Sequence, residues 1–274
     1  MTVESKLQRR VQRYGWDLAA SSYEMLWETQ LKCAQTELIR LASLRPGESV
    51  LDVACGTGLI SMSAAQAILP DGKLTGVDIS GNMIDISTRY AVSQHLKNTN
   101  FIRMDAENLD FKDATFDVVL CALGLMYFPD PERAVREICR VLRPGGRMVV
   151  AVWGERSSCG WASIFPIVDA EVSSEVCPLF FRLGQKGALQ RACEEAGLSN
   201  VQQHRISTKL HYETADEACN AAFVGGPVAL AWSRFDAVVR QRVRLQYLES
   251  IERWRDGPRY AVPGEFLVVS ATAP

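Results

Sequence analysis

The chain has 274 residues, 47% of them hydrophobic, and sets 30 Lys and Arg against 32 Asp and Glu for a formal net charge of −2. That length buries the core of one large α/β domain or two small ones, and the absence of a net positive field excludes charge-driven attraction to nucleic acid or an anionic membrane as the organising function. The eight cysteines include no pair two or three residues apart, and the N-terminus has no apolar leader. The expectation is a cytoplasmic enzyme with reduced thiols, no metal, no membrane insertion and a small-molecule partner, monomeric or homodimeric.

Residues 1–45 place Leu18, Met25, Leu26, Leu31, Ala34, Leu38 and Leu41 at helical spacing and end at Pro46-Gly47, which predicts N-terminal helices. From there to about 153, short apolar runs alternate with helical patterns: "SVLDVA", "GLISMSAAQAIL", "KLTGVDI", "GNMIDISTRYAVSQHL", "NFIRMD", "FDVVLCAL", "PERAVREICRVL", "GRMVVAVW". Strand-helix repetition predicts a doubly wound, mostly parallel α/β sheet of the Rossmann-like kind. After a mixed stretch to about 183, "QKGALQRACEEAGL" reads as a helix and "NVQQHRISTKLHY" as a long strand. Residues 214–256 read as a helical insertion able to cap the fold, and "EFLVVSA" as a last strand pairing antiparallel with 201–212. The predicted organisation is an N-terminal helical lid (1–45) on one ligand-binding domain (46–274).

Within "SVLDVACGTGLIS" (49–61), a strand runs into Gly56 and Gly58 and then a helix, so backbone N–H groups can approach a ligand with no Cβ in the way. A dinucleotide fingerprint needs a third glycine, and that position is Ser61; a P-loop is excluded because no Gly-Lys-Ser/Thr follows. Asp78 ends the next strand twenty residues beyond Gly58, where a carboxylate can accept both ribose hydroxyls. Asp52, at the end of the first strand, suits a ligand with an ammonium group. These residues point to a nucleoside ligand without a pyrophosphate.

The marks "LDVACGTG" (51–58), "GVDIS" (76–80), "MDAENLDF" (104–111), "FDVVLCALGLMYFPDP" (116–131), "VLRPGG" (141–146) and "FRLGQKGALQRACEEAGL" (181–198) run in this order over about 45–200. Together they resemble the class I S-adenosylmethionine-dependent methyltransferases, close to the ubiquinone/menaquinone-biosynthesis type. The resemblance implies S-adenosyl-L-methionine as cofactor. It places the backbone around Ala54 and Gly56 and the Asp52 carboxylate at the methionine end, Asp78 on the ribose, and Ile79 and Met83 on either side of the adenine. Asp105 would accept from the exocyclic amine, the Ala106 N–H would reach a ring nitrogen, and the Cys121 carbonyl would face the ammonium. One departure is Ala54, where the family's motif has glycine.

Methyl transfer needs alignment of donor and acceptor more than an acid or base. A base helps when the acceptor must lose a proton, and His211, beside Tyr212, is the better histidine; His204, seven residues earlier, falls on the opposite face of the strand. Tyr127 follows the fourth strand, where this fold class places acceptor contacts. Tyr14, Trp16, Tyr23 and Trp27 are candidates for the pocket roof, and "RRVQR" (9–13) reads as a solvated helix face. Adenine-modifying relatives carry an Asn-Pro-Pro-Tyr-like stretch where this chain has "CALGLMY", which favours a small apolar or aromatic acceptor. The competing readings are a cyclase or isomerase that keeps the cofactor without methyl transfer, a non-enzymatic binding protein and a dehydrogenase.

Overall fold

The computed structural model describes residues 3–172 and 177–274. Strands β1 (Ser49–Val53), β2 (Lys73–Asp78), β3 (Thr99–Arg103), β4 (Phe116–Ala122) and β5 (Leu142–Trp153) form a parallel sheet. β8 (Arg259–Thr272) lies antiparallel between β5 and β6 (Ser199–Tyr212), and the two-residue β7 (Arg255–Asp256) pairs with β8. The order is β3-β2-β1-β4-β5-β8-β6. β1 and β4 read as nearly unbroken apolar runs because both faces of the sheet are covered, and their Val50, Leu51, Val118, Val119 and Leu120 are fully buried.

Helices α2 (Leu59–Ala67), α3 (Gly81–Ser93) and α4 (Pro131–Val141) are the crossovers between parallel strands. α3 and α4 start where the sequence provides a cap: the Ser80 hydroxyl accepts from the Met83 N–H, and Asp130 accepts from the Arg133 N–H with Pro131 behind it, while α2 starts after the left-handed Gly58 with no side-chain cap. α5 (Ile164–Val172) and α6 (Ala188–Glu195) precede β6. The predicted insertion is α7 (Ala215–Phe223), α8 (Ala229–Arg234) and α9 (Ala237–Ile251). The strand order reverses between β1 and β4, which opens a crevice at the carboxyl ends of the strands.

The expected N-terminal helices are one helix, α1 (Val3–Ala42). No proline interrupts it, and Gly15, its one weak position, lies close enough to α8 that an added Cβ would sit 3.7 Å from Leu230 Cβ. Trp27, Leu31, Ala34, Leu38 and Ala42 form one buried stripe of α1 at spacings of four, three, four and four. Its C-terminal carbonyls are capped from the sheet: Arg147 donates to the oxygens of Ala42 and Ser43 while pairing with Glu48. The helix therefore runs from the core at its C-terminal half to the mouth of the crevice at its N-terminal half.

Candidate active site

The turn after β1 is built from left-handed backbone: Ala54 at φ 55°, Gly56 at 55° and Gly58 at 92°. Ala54 bears strain a glycine would avoid, of the order of 1 kcal/mol. Its methyl is accommodated because residue 124 has none: a Cβ on Gly124 would fall 2.3 Å from Ala54 Cβ. Gly58 serves packing, since a Cβ there would meet Met62 Cε at 2.6 Å and Ser87 Cβ at 3.3 Å; it lets α2 and α3 close together beneath the site.

Two carboxyl groups lie around this turn. Asp52 is buried, with its Oδ2 accepting from Ser61 Oγ at 2.5 Å and its Oδ1 meeting no protein donor. Burial pushes its pKa up to about 7 despite the serine, and Asp78 raises it further. Ser61, the residue that replaces the third dinucleotide glycine, thus orients Asp52. Asp78 Oδ2 accepts from the Gly56 N–H at 3.0 Å and its Oδ1 from the Ser80 N–H at 2.9 Å, tying the ends of β1 and β2 together. Burial holds Asp78 at about 6, with those N–H groups opposing and the Asp17 charge reinforcing the rise.

A cavity of about 740 Å³, part of it open to solvent, lies above these groups. Ala54 and Gly56 line it from β1, Asp78, Ile79 and Met83 from β2 and α3, Asp105 and Ala106 from the loop after β3, and Tyr127 from the loop after β4. Asp52 and Cys121 do not line it. Asp52 lies under the turn, and Cys121 is fully buried with its thiol pushed up to about 12, so Ala122, Leu123 and Gly124 form that wall.

The roof is the N-terminal half of α1. Trp16 and Tyr23 face the cavity, but Tyr14 is 45% exposed and stacks under Arg13, which corrects its place in the roof. Two residues along a helix are about 200° apart, so Tyr14 and Trp16 cannot share a face. Arg9 was read as part of a solvated face and is instead a fastening: its guanidinium pairs with Asp105 at 2.8 Å and with Glu107, both beyond β3. Asp17 accepts from Ser80 Oγ at 2.6 Å and from Asn82 at the start of α3. Arg9, Gln12, Trp16 and Tyr23 all line the cavity and recur at spacings of three, four and seven, the one sequence signal that would have found Arg9 and Gln12.

A second cavity, of about 320 Å³, shares Trp16, Tyr23, Leu123 and Tyr127 with the first and continues behind them to Trp27, Trp153, Trp161 and the 225–227 loop of the insertion. Trp27 is therefore in this chamber rather than over the first. The Trp16 and Tyr127 rings meet edge-on at 4.9 Å, forming part of the partition. Burial holds the Tyr127 phenol well above its ordinary pKa, so it is a donor and not a base at neutral pH. His211 is corrected outright. Its side chain is exposed while Leu210 and Tyr212 point inward, and its backbone N–H and carbonyl are bound by the Gln30 amide.

The arrangement has known counterparts. The methyltransferase-domain family matches residues 51–150. A demethylmenaquinone methyltransferase of Bacillus mycoides is 30% identical over 189 residues, 62% of this chain and 78% of that enzyme. The chain belongs to the class I S-adenosylmethionine-dependent methyltransferases. A second demethylmenaquinone methyltransferase, from Listeria monocytogenes, is 36% identical to this methyltransferase over 129 residues, 47% of this chain and 54% of its own length. Among solved structures, the YcgJ protein of Bacillus subtilis superposes with a TM-score of 0.65 at 17% identity, over 88% of this chain and 98% of its own. The [4+2]-cyclase SpnF superposes at 0.60 and 20% identity, over 88% of this chain and 80% of its own; these two likenesses concern the fold. No helix among the described residues of the methyltransferase is long and apolar enough to cross a membrane.

Proposed function

We propose that the chain transfers the methyl group of S-adenosylmethionine to a small, uncharged, apolar or aromatic acceptor, with the cofactor in the first cavity and the acceptor in the second. The observation that carries this is the shared wall: two chambers, one ringed by carboxylates and left-handed backbone, the other apolar and aromatic, meet at Trp16, Tyr23, Leu123 and Tyr127. The residues fit the cofactor. Asp78 is positioned for the ribose, Ile79 and Met83 for the two faces of the adenine, and Asp105 and Ala106 for its polar edge. The backbone of Ala54 and Gly56 would hold the methionine end, with Ala122, Leu123 and Gly124 as the facing wall and the buried Asp52 carboxylate acting from beneath the turn rather than by contact. When bound, the sulfonium supplies an activated methyl group whose C–S bond breaks as the bond to the acceptor forms.

The chain's own contribution is position and dryness. α1, held by Arg9 and Asp17 across the mouth, acts as the lid over one ligand-binding domain, and the partition sets the distance between donor and acceptor; alignment of this kind supplies much of the acceleration available to such a displacement. Tyr127 and Tyr23 stay protonated and act as positioning donors. The relatives named as demethylmenaquinone methyltransferases support an acceptor of apolar, aromatic character.

Calorimetry with S-adenosylmethionine, S-adenosylhomocysteine and NAD tests the cofactor half: the first two should bind and NAD should not. Release of S-adenosylhomocysteine in the presence of aromatic acceptors tests the transfer half. Tight S-adenosylmethionine binding with no such release for any acceptor would turn the assignment toward a cyclase or isomerase, and binding of NAD alone would refute it.

A further inference from the structure

The roof helix α1 has a second face. Arg9, Gln12, Trp16 and Tyr23 look into the first cavity. On the opposite side of the same turns, Leu7, Tyr14, Leu18 and Met25 stand in solvent, four of the eight large apolar side chains exposed among the described residues. Met25 is 81% exposed and Leu7 56%. Spacings of seven, four and seven set all four within about 20° of one line along the helix, over a length of about 27 Å. Single surface leucines are ordinary, but a straight apolar seam at heptad spacing is the pattern of a helix that packs on another helix.

The charges beside the seam indicate which helix. They lie on one flank, Arg10 and Arg13 toward the N-terminal end and Glu24 and Glu28 toward the C-terminal end, with Asp17 between them tied to α3. The other flank carries the neutral Gln8, Gly15, Ser22 and Thr29. Among the described residues neither arginine and neither glutamate of this flank forms an ion pair, and Arg13 only stacks over the Tyr14 ring. Burial and then the Glu28 charge hold the Glu24 carboxyl above its usual range, so the acidic end of a single chain is short of a cation.

We propose that a second copy of this chain covers the seam, the two α1 helices packing antiparallel about a twofold axis near residues 16 and 17. Such an axis sets each flank against its own counterpart, so the basic end of one charged flank meets the acidic end of the other. In that register Leu7 lies across from Met25, Tyr14 across from Leu18 and Arg10 across from Glu24. A parallel pair would set the charged flank against the neutral one and leave all four charges unmet. An anionic membrane would attract Arg10 and Arg13 but repel Glu24 and Glu28. The pattern is complementary to its own reverse, which singles out a second copy as the occupant. Because the covered face backs Trp16 and Tyr23, association braces two cavity roofs at once.

Sedimentation velocity of the full chain over about 1–100 µM should show the weight-average mass rising from one chain toward two. Leu18→Glu and Met25→Glu should each raise the dimer dissociation constant at least about tenfold, since each substitution enters a twofold interface twice. Arg10→Glu should raise it by about threefold or more, and Arg10→Glu combined with Glu24→Arg should restore it, because the swapped charges pair again only in the antiparallel register. All these positions are on the outer face of α1, and a cooperative melt close to that of the unaltered chain reports an intact fold in each variant. A chain that stays monomeric throughout, or a dimer that both seam variants leave intact, would overturn the proposal. So would flotation of a monomeric chain with phosphatidylglycerol vesicles, which would give the seam to a membrane, and a charge swap that restores nothing would overturn the antiparallel register. None of these readouts uses methyl transfer, so failure of that reading leaves them unchanged.

Discussion

Asp52 and Asp78 are one strand apart at the same end of the sheet, and burial gives them pKa values of about 7 and about 6. An unfolded chain releases these protons near pH 3.9. Between about pH 4 and 7 the folded protein therefore binds more protons than the unfolded one, and its stability falls as pH rises, by up to about 1.4 kcal/mol per pH unit for each group still protonated. Melting curves of the ligand-free protein from about pH 5 to 8 should show this decline, and Asp52→Asn should flatten it; a wild-type curve already flat would exclude a buried, proton-holding Asp52. Asp78→Ala should weaken S-adenosylmethionine by roughly 1.5–3 kcal/mol in calorimetry, as for a lost charged hydrogen bond, and unchanged affinity would remove Asp78 from the ribose. Ala54 and Gly124 form a coupled pair because only one of them has room for a methyl. Gly124→Ala should destabilise by about 1–3 kcal/mol alone and by much less in an Ala54→Gly background; additive effects in the double-mutant cycle would mean the two do not compete for space.

At the scale of elements, α1 is both core and roof. Its C-terminal half is bonded to the sheet through Arg147 and buries Leu31, Leu38 and Ala42, while its N-terminal half is held at the crevice by Arg9 and Asp17. The ion pair of Arg9 with Asp105 uses the carboxylate proposed to meet the adenine amine, so opening of this end and cofactor entry should be linked. Asp17→Ala removes the carboxylate contacts to the Ser80 hydroxyl and the Asn82 backbone N–H, keeps the bond from the Asn82 side-chain amide to the residue 17 carbonyl, and does not touch Asp105. It is expected to speed amide hydrogen exchange in roughly residues 7–20 relative to 30–42, with a change in melting temperature of a few degrees or less. Uniform exchange along α1, or a global loss of stability, would show that the helix opens only with the whole protein.

For the whole molecule, reversal of strand order beside β1 puts the crevice at the ends of β1, β2 and β4, where α1 lines both cavities and the distant 225–227 loop lines the second. Division into a lid of 1–45 and a domain of 46–274 is a proposal about folding as well as function. The buried stripe of α1 predicts that removal of residues 1–42 leaves an apolar groove over the sheet, seen as dye binding and loss of a cooperative melt. A truncated chain that melts cooperatively would make α1 a separable lid.

The glycine turn, Asp78 twenty residues on and the alternation of apolar runs with amphipathic segments determined the doubly wound fold and the class of cofactor, because turn conformation and strand-end position are local properties of the backbone. Gly56 was legible for the same reason, whereas the place of Ala54, Ile79, Met83 and Asp105 at the cavity was implied by the family resemblance alone. His211 was misplaced because alternation along a strand shows which residues share a face but not which face is buried. Arg9 was misread because a charged residue on a helix is solvated unless something distant meets it. Only the tertiary structure decided that Asp105 and Glu107 do so, that Ser61 serves Asp52, and that Trp27, Trp161 and Gly225, nearly two hundred residues apart in the chain, enclose one chamber. Contacts between distant segments arise from packing of whole elements, and no local pattern of residues encodes them.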